Sequence, residues 1–200
     1  GMQYNSNTTT ITWTNTLNWM HTFNEKHNLN IMLGQEAQWK NYWNEKYAGI
    51  NFPLRGYREL NMAGSSYGNP SYVTRQARLA SFFLNASYDY QGKYYGQVSF
   101  RRDGSSVFGQ NNRWGNFWSL GGKWRISEEE FLKDNEVLTN LSLRASYGTV
   151  GNQDIDWYAA RGFYSAGYNY DSTPGIVPES LNLPDLGWET SKKLNIGLDI

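Results

Sequence analysis

The sequence predicts an all-β fold, an antiparallel up-and-down meander, and three observations support this. Apolar and polar side chains alternate with a period of two residues, most clearly in the closing stretch 188–200. Successive side chains of a strand point to opposite faces, so this period gives one apolar face and one polar face. Aromatic residues make up 16% of a chain whose mean hydropathy is −0.70, which suits strands with a single apolar face. Tight turns alternate with longer loops along the chain.

The first two predicted strands are Thr9–Phe23 and His27–Lys40, joined by a tight turn at Asn24–Lys26. Both exceed the five or six residues that are common in soluble proteins. Thr, Asn, Glu and Gln fill most of their polar rows, and Met32 breaks the pattern. The apolar row of the pair consists of Ile11, Trp13, Leu17, Trp19, Phe23, Leu29, Ile31, Leu33, Ala37 and Trp39.

The third and fourth strands are predicted at Ala77–Tyr90 and Tyr94–Asp103, with a tight turn at Gln91–Lys93 between them. A long loop, Asn41–Gln76, precedes this pair. Phe83 is the exception on its polar side. The apolar row consists of Ala80, Phe82, Leu84, Ala86, Tyr88, Tyr90, Tyr94, Val98 and Phe100.

Three further strands are predicted at Asn116–Ile126, Leu138–Val150 and Trp188–Ile200. Ser127 followed by Glu130 predicts a short helix with a capping box in the connection after the fifth strand. The connection after the sixth strand is a long loop, 151–187. The apolar row consists of Trp118, Leu120, Trp124, Ile126, Leu141, Leu143, Ala145, Tyr147, Trp188, Leu194, Ile196, Leu198 and Ile200.

The order of turns and loops indicates what the apolar face contacts. In a meander every second connection lies at the same end, so the longer loops gather on one rim, as they do in outer-membrane barrels. The aromatic residues of the apolar rows fall near the two ends of the strands, with aliphatic residues mostly between them, as in the aromatic belts of membrane proteins. We therefore predict part of a transmembrane β-barrel. The alternative is a secreted, carbohydrate-binding β-sandwich whose aromatic residues fill a core.

Composition excludes several other classes of protein. The 18 Lys and Arg balance the 18 Asp and Glu, so net charge indicates neither nucleic acid nor acidic lipid as a partner. Zero cysteines exclude disulfides and thiolate metal sites in this chain. No run of about 18 apolar residues is present, which excludes a membrane helix.

Several motifs in the second half of the chain occur together in a fixed order. They are Arg101-Arg102-Asp103-Gly104-Ser105-Ser106-Val107-Phe108-Gly109, Asn111-Asn112-Arg113-Trp114-Gly115, Trp124-Arg125-Ile126-Ser127-Glu128-Glu129-Glu130-Phe131-Leu132, Leu141-Ser142-Leu143-Arg144-Ala145-Ser146-Tyr147-Gly148, Gly151-Asn152, Leu186-Gly187-Trp188-Glu189 and Asn195-Ile196-Gly197-Leu198-Asp199. In order and spacing they resemble the C-terminal barrel of the SusC/RagA family of TonB-dependent outer-membrane transporters. Val107 stands where that family usually has a basic residue, and Phe117-Trp118-Ser119 stands where it has Phe-Pro-Ser.

The resemblance implies a function and partners. The seven predicted strands would be a slice of a 22-stranded barrel, and residues 1–200 would be a partial barrel domain without the plug domain and the barrel-closing strands. The whole protein would lie in the bacterial outer membrane, in contact with its lipid, and import oligosaccharides or peptides. It would act with a SusD-like surface lipoprotein and draw energy from the TonB complex through the plug. No nucleic acid and no cofactor are expected.

Two sets of residues are candidates for contacts outside the barrel wall. Arg101, Asp103, Gly104 and Arg113 lie where a strand meets a loop, and opposite charges there predict a structural hairpin lock. Exposed aromatic residues beside Asn, Gly and Ser could stack on sugars or hold a peptide, or could equally pack the loops against one another or against a partner. These candidates are Trp43, Tyr47, Tyr57, Trp114, Trp157 and Tyr158.

Catalysis is not expected. The only imidazoles, His21 and His27, flank a tight turn, where a surface or girdle role is favoured over metal binding. The acidic run Glu128–Glu130 and the pair Asp154 and Asp156 lack a rigid frame that would hold two carboxylates at glycosidase spacing. The sequence therefore predicts no enzyme and no metal site.

Overall fold

The computed structural model describes residues 1–53, 56, 59, 62–68, 71–132 and 139–200. Ten strands form within these residues, together with the 3-10 turn Ile126–Glu128. The strands are β1 (Met2–Phe23), β2 (His27–Ile50), β3 (Ser65–Ser66), β4 (Ser71–Tyr90), β5 (Tyr94–Ser105), β6 (Trp114–Arg125), β7 (Ser142–Asn152), β8 (Phe163–Tyr170), β9 (Thr173–Ser180) and β10 (Glu189–Asp199).

The strand order confirms the predicted antiparallel meander. One sheet runs β1-β2-β4-β5-β6-β7-β10, with β3 paired to β2, and β8 pairs with β9 in a separate two-stranded sheet. The register is regular: Val98 lies opposite Ala86 and Leu120, and Tyr147 lies opposite Leu120 and Leu194. No helix among the described residues is long and apolar enough to cross a membrane.

The chain divides into two compact units. One consists of Gly1–Thr12 and Gln38–Arg78, and the other of Trp13–Ala37 and Leu79–Ile200. In the first unit the paired strand ends are held by polar contacts, with Asn5 Nδ2 2.8 Å from Glu45 Oε1 and the two hydroxyls of Tyr4 and Tyr42 3.2 Å apart. The second unit contains the aromatic and polar rows that are relevant to function.

The tight turns use positive backbone φ angles. Asn24 and Glu25 have φ of 48° and 57°, and Gln91 and Gly92 have φ of 53° and 69°. Two successive residues in this region match the right-handed twist of the flanking strands, which is why such turns join hairpins. The chain closes each turn with a backbone hydrogen bond, Lys26 N to Phe23 O and Lys93 N to Tyr90 O.

The apolar row of the second unit is exposed, as predicted. Val98 is 46% exposed, Leu120 56%, Leu143 42% and Ile196 71%. A soluble sandwich would bury these side chains against a second sheet, so the β-sandwich alternative is wrong. The buried hydrophobic residues of the described chain are instead Val107, Phe108, Phe117 and Ala160.

Several element predictions need correction. The strands β1, β2 and β4 extend seven, ten and six residues beyond the predicted bounds. The extension of β2 was missed because aromatic and polar residues occur in both of its rows, as Tyr42 and Trp43 show. The predicted helix at Ser127 is a single 3-10 turn; its N-cap is Arg125, no side chain caps it, and the buried Ser127 hydroxyl has no hydrogen-bond partner among the described residues. Within the predicted long loop 151–187, residues 163–180 form the β8–β9 hairpin.

Candidate functional site

The polar rows of the second unit line a hollow of about 990 Å³ near the tight-turn ends of the strands. Its side chains carry amides, hydroxyls and charges, which arrive on one face because each strand places alternate residues there. Gly121 lies on this row and lines the hollow without a side chain. The lining includes Asn30, Ser87, Gln97, Lys123, Arg144 and Asn195.

Two cations of the hollow lie on neighbouring strands, and Asp89 of β4 also lines it. Lys123 of β6 lies directly opposite Arg144 of β7, and like charges at opposed positions repel. Arg144 Nη2 lies 3.3 Å from Asp199 Oδ1, and the Arg144 side chain also crosses Gly197. The hollow therefore presents hydrogen-bonding groups and charges of both signs, a surface suited to polar partners.

A second polar cluster, centred on Arg101, lies on the same face towards the long-loop end of β5. Arg101 Nε is 2.7 and 2.9 Å from the two Asp103 carboxylate oxygens, and its Nη2 donates to Ser81 Oγ at 2.9 Å. Nη2 also lies 3.4 Å from Glu36 Oε1. Asp103 and Ser81 are buried, so Arg101 neutralises a carboxylate that has little access to water.

The Arg101 cluster explains why Phe83 breaks the polar row. The Phe83 ring covers Gly34 of β2 so closely that a Cβ there would lie 2.0 Å from it, and Arg101 lies over the ring at 5.6 Å from its centroid. An aromatic ring laid across a strand glycine restores the packing that the glycine lacks. The other exception, Met32, has no comparable explanation in the structure.

The loop after β5 is the best packed part of the chain. Phe108 is 2% exposed and contacts Trp188 at 4.8 Å between ring centroids, while Phe117 meets the same indole edge-on at 5.2 Å. Gly109 N donates to Leu186 O at 2.9 Å, and a Cβ at Gly109 would lie 2.1 Å from Pro184 O. The motif residues thus form a rigid loop core.

The structure brings together two of the charged residues of the predicted hairpin lock. Arg101 and Asp103 are paired, but Arg113 is exposed and contributes its backbone carbonyl, which accepts hydrogen bonds from Ser105 N at 3.0 Å and Trp188 Nε1 at 3.0 Å. Trp188 was expected on the apolar row. It precedes β10, so strand alternation does not fix its direction, and it packs into the loop core.

Trp114 and Gly104 mark the long-loop end of the apolar face. Trp114 is the first residue of β6 rather than a loop residue, and its ring covers Gly104, where a Cβ would lie 2.8 Å away. Phe82 stacks on it at 6.4 Å between centroids, and Arg102 lies over it at 5.3 Å. Arg102 is the first charged residue on the apolar row of β5, and the apolar part of this row ends there.

The remaining aromatic candidates lie in both units. In the first unit, Trp43 and Tyr47 belong to β2, and Trp43 stacks on Tyr72 at 6.4 Å. Tyr57 lies outside the described residues. In the second unit, Trp157 and Tyr158 are half-buried before β8, and Arg161 lies over the Tyr158 ring at 5.2 Å.

The tight-turn end of the apolar face carries a connected set of aromatic rings, which we call the tight-turn girdle. Its members are Tyr88, Tyr90, Tyr94 and Trp124, with His27 between Tyr88 and Tyr90. Tyr94 stacks between Tyr90 at 6.3 Å and Trp124 at 6.4 Å. His27 Nδ1 lies 2.7 Å from the Tyr88 hydroxyl. The other histidine, His21, stacks on Trp19 at 5.8 Å between ring centroids. Among the described residues, no group of three or more His, Asp or Glu could hold a metal ion.

Glu129, in the connection after β6, hydrogen-bonds to this girdle. Its Oε1 accepts hydrogen bonds from the Tyr94 hydroxyl and, at 3.0 Å, from Trp124 Nε1, while Lys93 Nζ lies 3.6 Å from Oε2. The pKa of Glu129 is lowered from its ordinary value. The largest cause is the hydrogen bond from Tyr94, and the second is the hydrogen bond from Trp124. The carboxylate therefore stays ionised at neutral pH.

The hollow was not among the sequence candidates. Its signal was present, because Gly121 of β6 and Gly197 of β10 interrupt the polar rows of their strands. Alternation indicates which face of the sheet a residue occupies, but it does not show whether neighbouring rows enclose a space. Only the register, which brings Gly121 opposite Gln97 and Lys123 opposite Arg144, shows that the rows enclose a space.

Comparison with known proteins shows the family. The model of the TonB dependent receptor-like beta-barrel matches residues 1–200. The chain belongs to the TonB-dependent receptor β-barrel family. A TonB-dependent receptor of Formosa agariphila is 43% identical over 122 residues, which are 61% of this chain and 12% of that protein. The TonB-dependent receptor SusC of Bacteroides thetaiotaomicron is 39% identical over 136 residues, 64% of this chain and 14% of SusC.

Solved structures agree with the sequence relatives. The structure of the RagAB peptide transporter superposes with a TM-score of 0.89 at 28% identity, over 98% of this chain and 22% of that chain. The chain thus spans about a fifth of this structural relative and a smaller share of the curated relatives. The fold class, an antiparallel wall segment of a TonB-dependent receptor barrel, is confirmed.

Proposed function

We propose that this chain is barrel wall of a TonB-dependent importer in a bacterial outer membrane. The observation that carries the proposal is the opposition of two faces in the second unit, an exposed apolar row between aromatic rings and a polar row that lines a hollow. Lipid requires the first face and a hydrophilic interior requires the second. From Trp13 to Phe23 the strand measures about 33 Å, or about 25 Å along the membrane normal at a tilt of about 40°, which matches the apolar band of such barrels.

We infer that the cargo is an oligosaccharide or a peptide. Support comes from the names of the relatives, SusC and the RagAB peptide transporter, and from the amides, hydroxyls and cations on the polar face. The same relatives support a SusD-like surface lipoprotein as partner and energy supply from the TonB complex through a plug domain. The full-length importer works by binding and translocation, without a chemical reaction.

The aromatic residues of the long connections are proposed contacts for cargo or for the lipoprotein. Trp157 and Tyr158 are the better candidates, because Arg161 over the Tyr158 ring adds a cation beside the aromatic surface. Trp43, Tyr47 and Tyr57 are proposed to serve the same purpose. We assign Trp114 to the lipid girdle, since it lies on the apolar row with Phe82 and Arg102.

Uptake by the full-length protein tests the proposal. Cells that express it with its neighbouring lipoprotein should accumulate a fluorescent oligosaccharide or a fluorescent peptide, and accumulation should stop when TonB is deleted. Replacement of Tyr158 by Ala should weaken uptake, while the same replacement at the exposed Tyr164 is the matched control. Recovery of the full-length protein in the soluble fraction, or TonB-independent uptake, would contradict the assignment.

A further inference from the structure

The connection that follows β6 has a fixed backbone between residues 126 and 132. Glu129 N donates to Ile126 O at 3.1 Å, and Leu132 N donates to Glu129 O at 2.9 Å. Ser127 N donates to Leu141 O at 3.1 Å, which ties the connection to the start of the next strand. We call residues 126–132 the Glu129 turn. Backbone hydrogen bonds thus hold Glu129 and Leu132, the residues on either side of Glu130 and Phe131.

Three contacts place the Glu129 turn beside the apolar face and not beside the polar hollow. Tyr94 and Trp124, which hold the carboxylate, are members of the apolar row and are 44% and 37% exposed. Lys93 adds the third contact from the neighbouring tight turn. Both oxygens of the Glu129 carboxylate thus have partners, and these partners hold the turn beside the aromatic rings at the tight-turn end of the strands.

Phe131 is exposed in this turn to an extent that protein packing does not explain. Its side chain is 72% exposed, whereas Phe108 and Phe117 are buried at 2% and 8%. Phe131 follows Glu129 by two residues, and Glu129 is hydrogen-bonded to aromatic residues of the apolar face. In an outer membrane, this position corresponds to the boundary between hydrocarbon and headgroups. Aromatic side chains favour that depth.

The charges around the turn suit the same environment. Lys93 and Arg125 are its cations, and each already contacts a carboxylate, Glu129 at 3.6 Å and Glu128 at 2.8 Å. Lipid phosphates lie at the depth of such side chains, and long cationic side chains can reach them while their stems stay in apolar surroundings. Of the acidic side chains in the turn, Glu128 and Glu129 thus have a cation beside them, and Glu130 is exposed.

We propose that the Glu129 turn is a membrane-interface anchor, in which Phe131 inserts into the phospholipid leaflet at the tight-turn end of the strands. The proposal rests on the assignment of the chain as outer-membrane barrel wall. It adds a lipid contact outside the strands and gives the Glu129 hydrogen bonds a purpose: they hold the ring at the bilayer surface.

Site-directed spin labelling of the full-length protein tests the anchor. The chain has no cysteine, so labels at Phe131→Cys, Leu120→Cys and Tyr164→Cys are unique in this segment once any cysteine elsewhere is replaced. The protein is reconstituted in vesicles of phosphatidylethanolamine and phosphatidylglycerol, and collisions of each label with oxygen and with a water-soluble nickel chelate are measured. Oxygen concentrates in hydrocarbon and the chelate stays in water.

The three labels separate the possible outcomes. We expect Leu120 to favour oxygen strongly, Tyr164 to favour nickel, and Phe131 to show an oxygen-to-nickel ratio several-fold above that of Tyr164 but below that of Leu120. Adding Glu129→Ala should bring the Phe131 ratio down towards that of Tyr164, an effect that ordinary surface exposure would not produce. A Phe131 ratio equal to that of Tyr164, with Leu120 in lipid, overturns the anchor alone. A Leu120 label in water overturns the barrel assignment and the anchor together.

Discussion

The ion pairs of the polar face differ in how exposed their carboxylates are to water. This exposure decides how much each arginine contributes to the free energy of unfolding. Arg101 holds Asp103, whose side chain is 10% exposed, whereas Arg144 holds Asp199, whose side chain is 36% exposed. Breaking a pair whose carboxylate is buried leaves that charge without compensation. Breaking an exposed pair returns the charge to water and costs little.

We therefore expect Arg101→Gln to destabilise the full-length protein by about 1–3 kcal/mol and Arg144→Gln by less than about 1 kcal/mol. The measurement is the urea midpoint of unfolding in lipid vesicles, followed by tryptophan fluorescence. Arg101→Lys should recover only part of the loss, because an ammonium group cannot match the forked contact with Asp103. Equal losses for the two Gln variants would contradict this ranking.

Glu129 gives the chain a pH dependence of predictable sign. Its pKa is lower in the folded protein than its ordinary value of 4.5, so its contribution to stability is complete above pH 4.5 and is lost as pH falls through the folded pKa. The wild type should melt at a higher temperature than Glu129→Gln. This difference in melting temperature should stay constant from pH 8 to pH 5.5 and decrease below pH 4.5. A difference that already shrinks between pH 7 and pH 5.5 would assign the effect to another group.

At the scale of elements, neighbouring strands are joined by aromatic rings laid over glycines. Phe83 of β4 covers Gly34 of β2, and Phe117 of β6 covers Gly151 of β7, where an added Cβ would lie 2.1 Å from the ring. Both rings lie on the polar face, where the sequence gives no reason for a large apolar side chain. Each aromatic residue and its glycine therefore form one structural unit across two strands.

Substitution of these glycines tests the coupling. Gly34→Ala should cost about 1–3 kcal/mol, because the Phe83 ring must move away. Gly96→Ala is the matched control, since a Cβ at Gly96 meets nothing within 4 Å and the added methyl should be neutral or slightly stabilising. Unfolding midpoints of both variants are compared with those in a Phe83→Leu background, where the cost of Gly34→Ala should decrease. An unchanged cost in that background would place the strain elsewhere.

The sequence predicts elements well where they face two different media, and poorly elsewhere. Alternation and turn punctuation together predicted the seven long strands, because the two faces of these strands have different partners. Alternation missed the extension of β2 past Lys40, where Tyr42 and Trp43 place aromatic rings in both rows, and the β8–β9 hairpin, where two prolines and two register shifts break the period. The turn of that hairpin left a signal in Asp171 and Ser172, which take φ of 45° and 65°. The hollow and the Phe108 core depend on register and loop contacts, which local patterns do not contain.

For the whole molecule, the assignment of lipid to one face and water to the other can be tested on adjacent residues. Val98 lies on the apolar row of β5, and Gln97 lines the hollow. Val98→Lys should destabilise the assembled barrel by about 2–4 kcal/mol, the cost of a lysine near the bilayer midplane, while Gln97→Lys should change stability little. The comparison uses the fraction of full-length protein that stays folded in detergent at room temperature and its urea midpoint in vesicles. If the two variants lose the same stability, the faces do not contact different media.

The exposed apolar row also affects how the sequence can change over time. Acyl chains are fluid and adapt to any side chain, so shape is unspecified at Val98, Leu120 and Ile196, and exchange among Val, Leu, Ile and Phe should be nearly free there. The rings packed over glycines and the Phe108 core meet fixed neighbours and tolerate no such drift. Relatives of this chain should therefore vary most in side-chain size along their lipid surface, while its hydrophobic character stays constant.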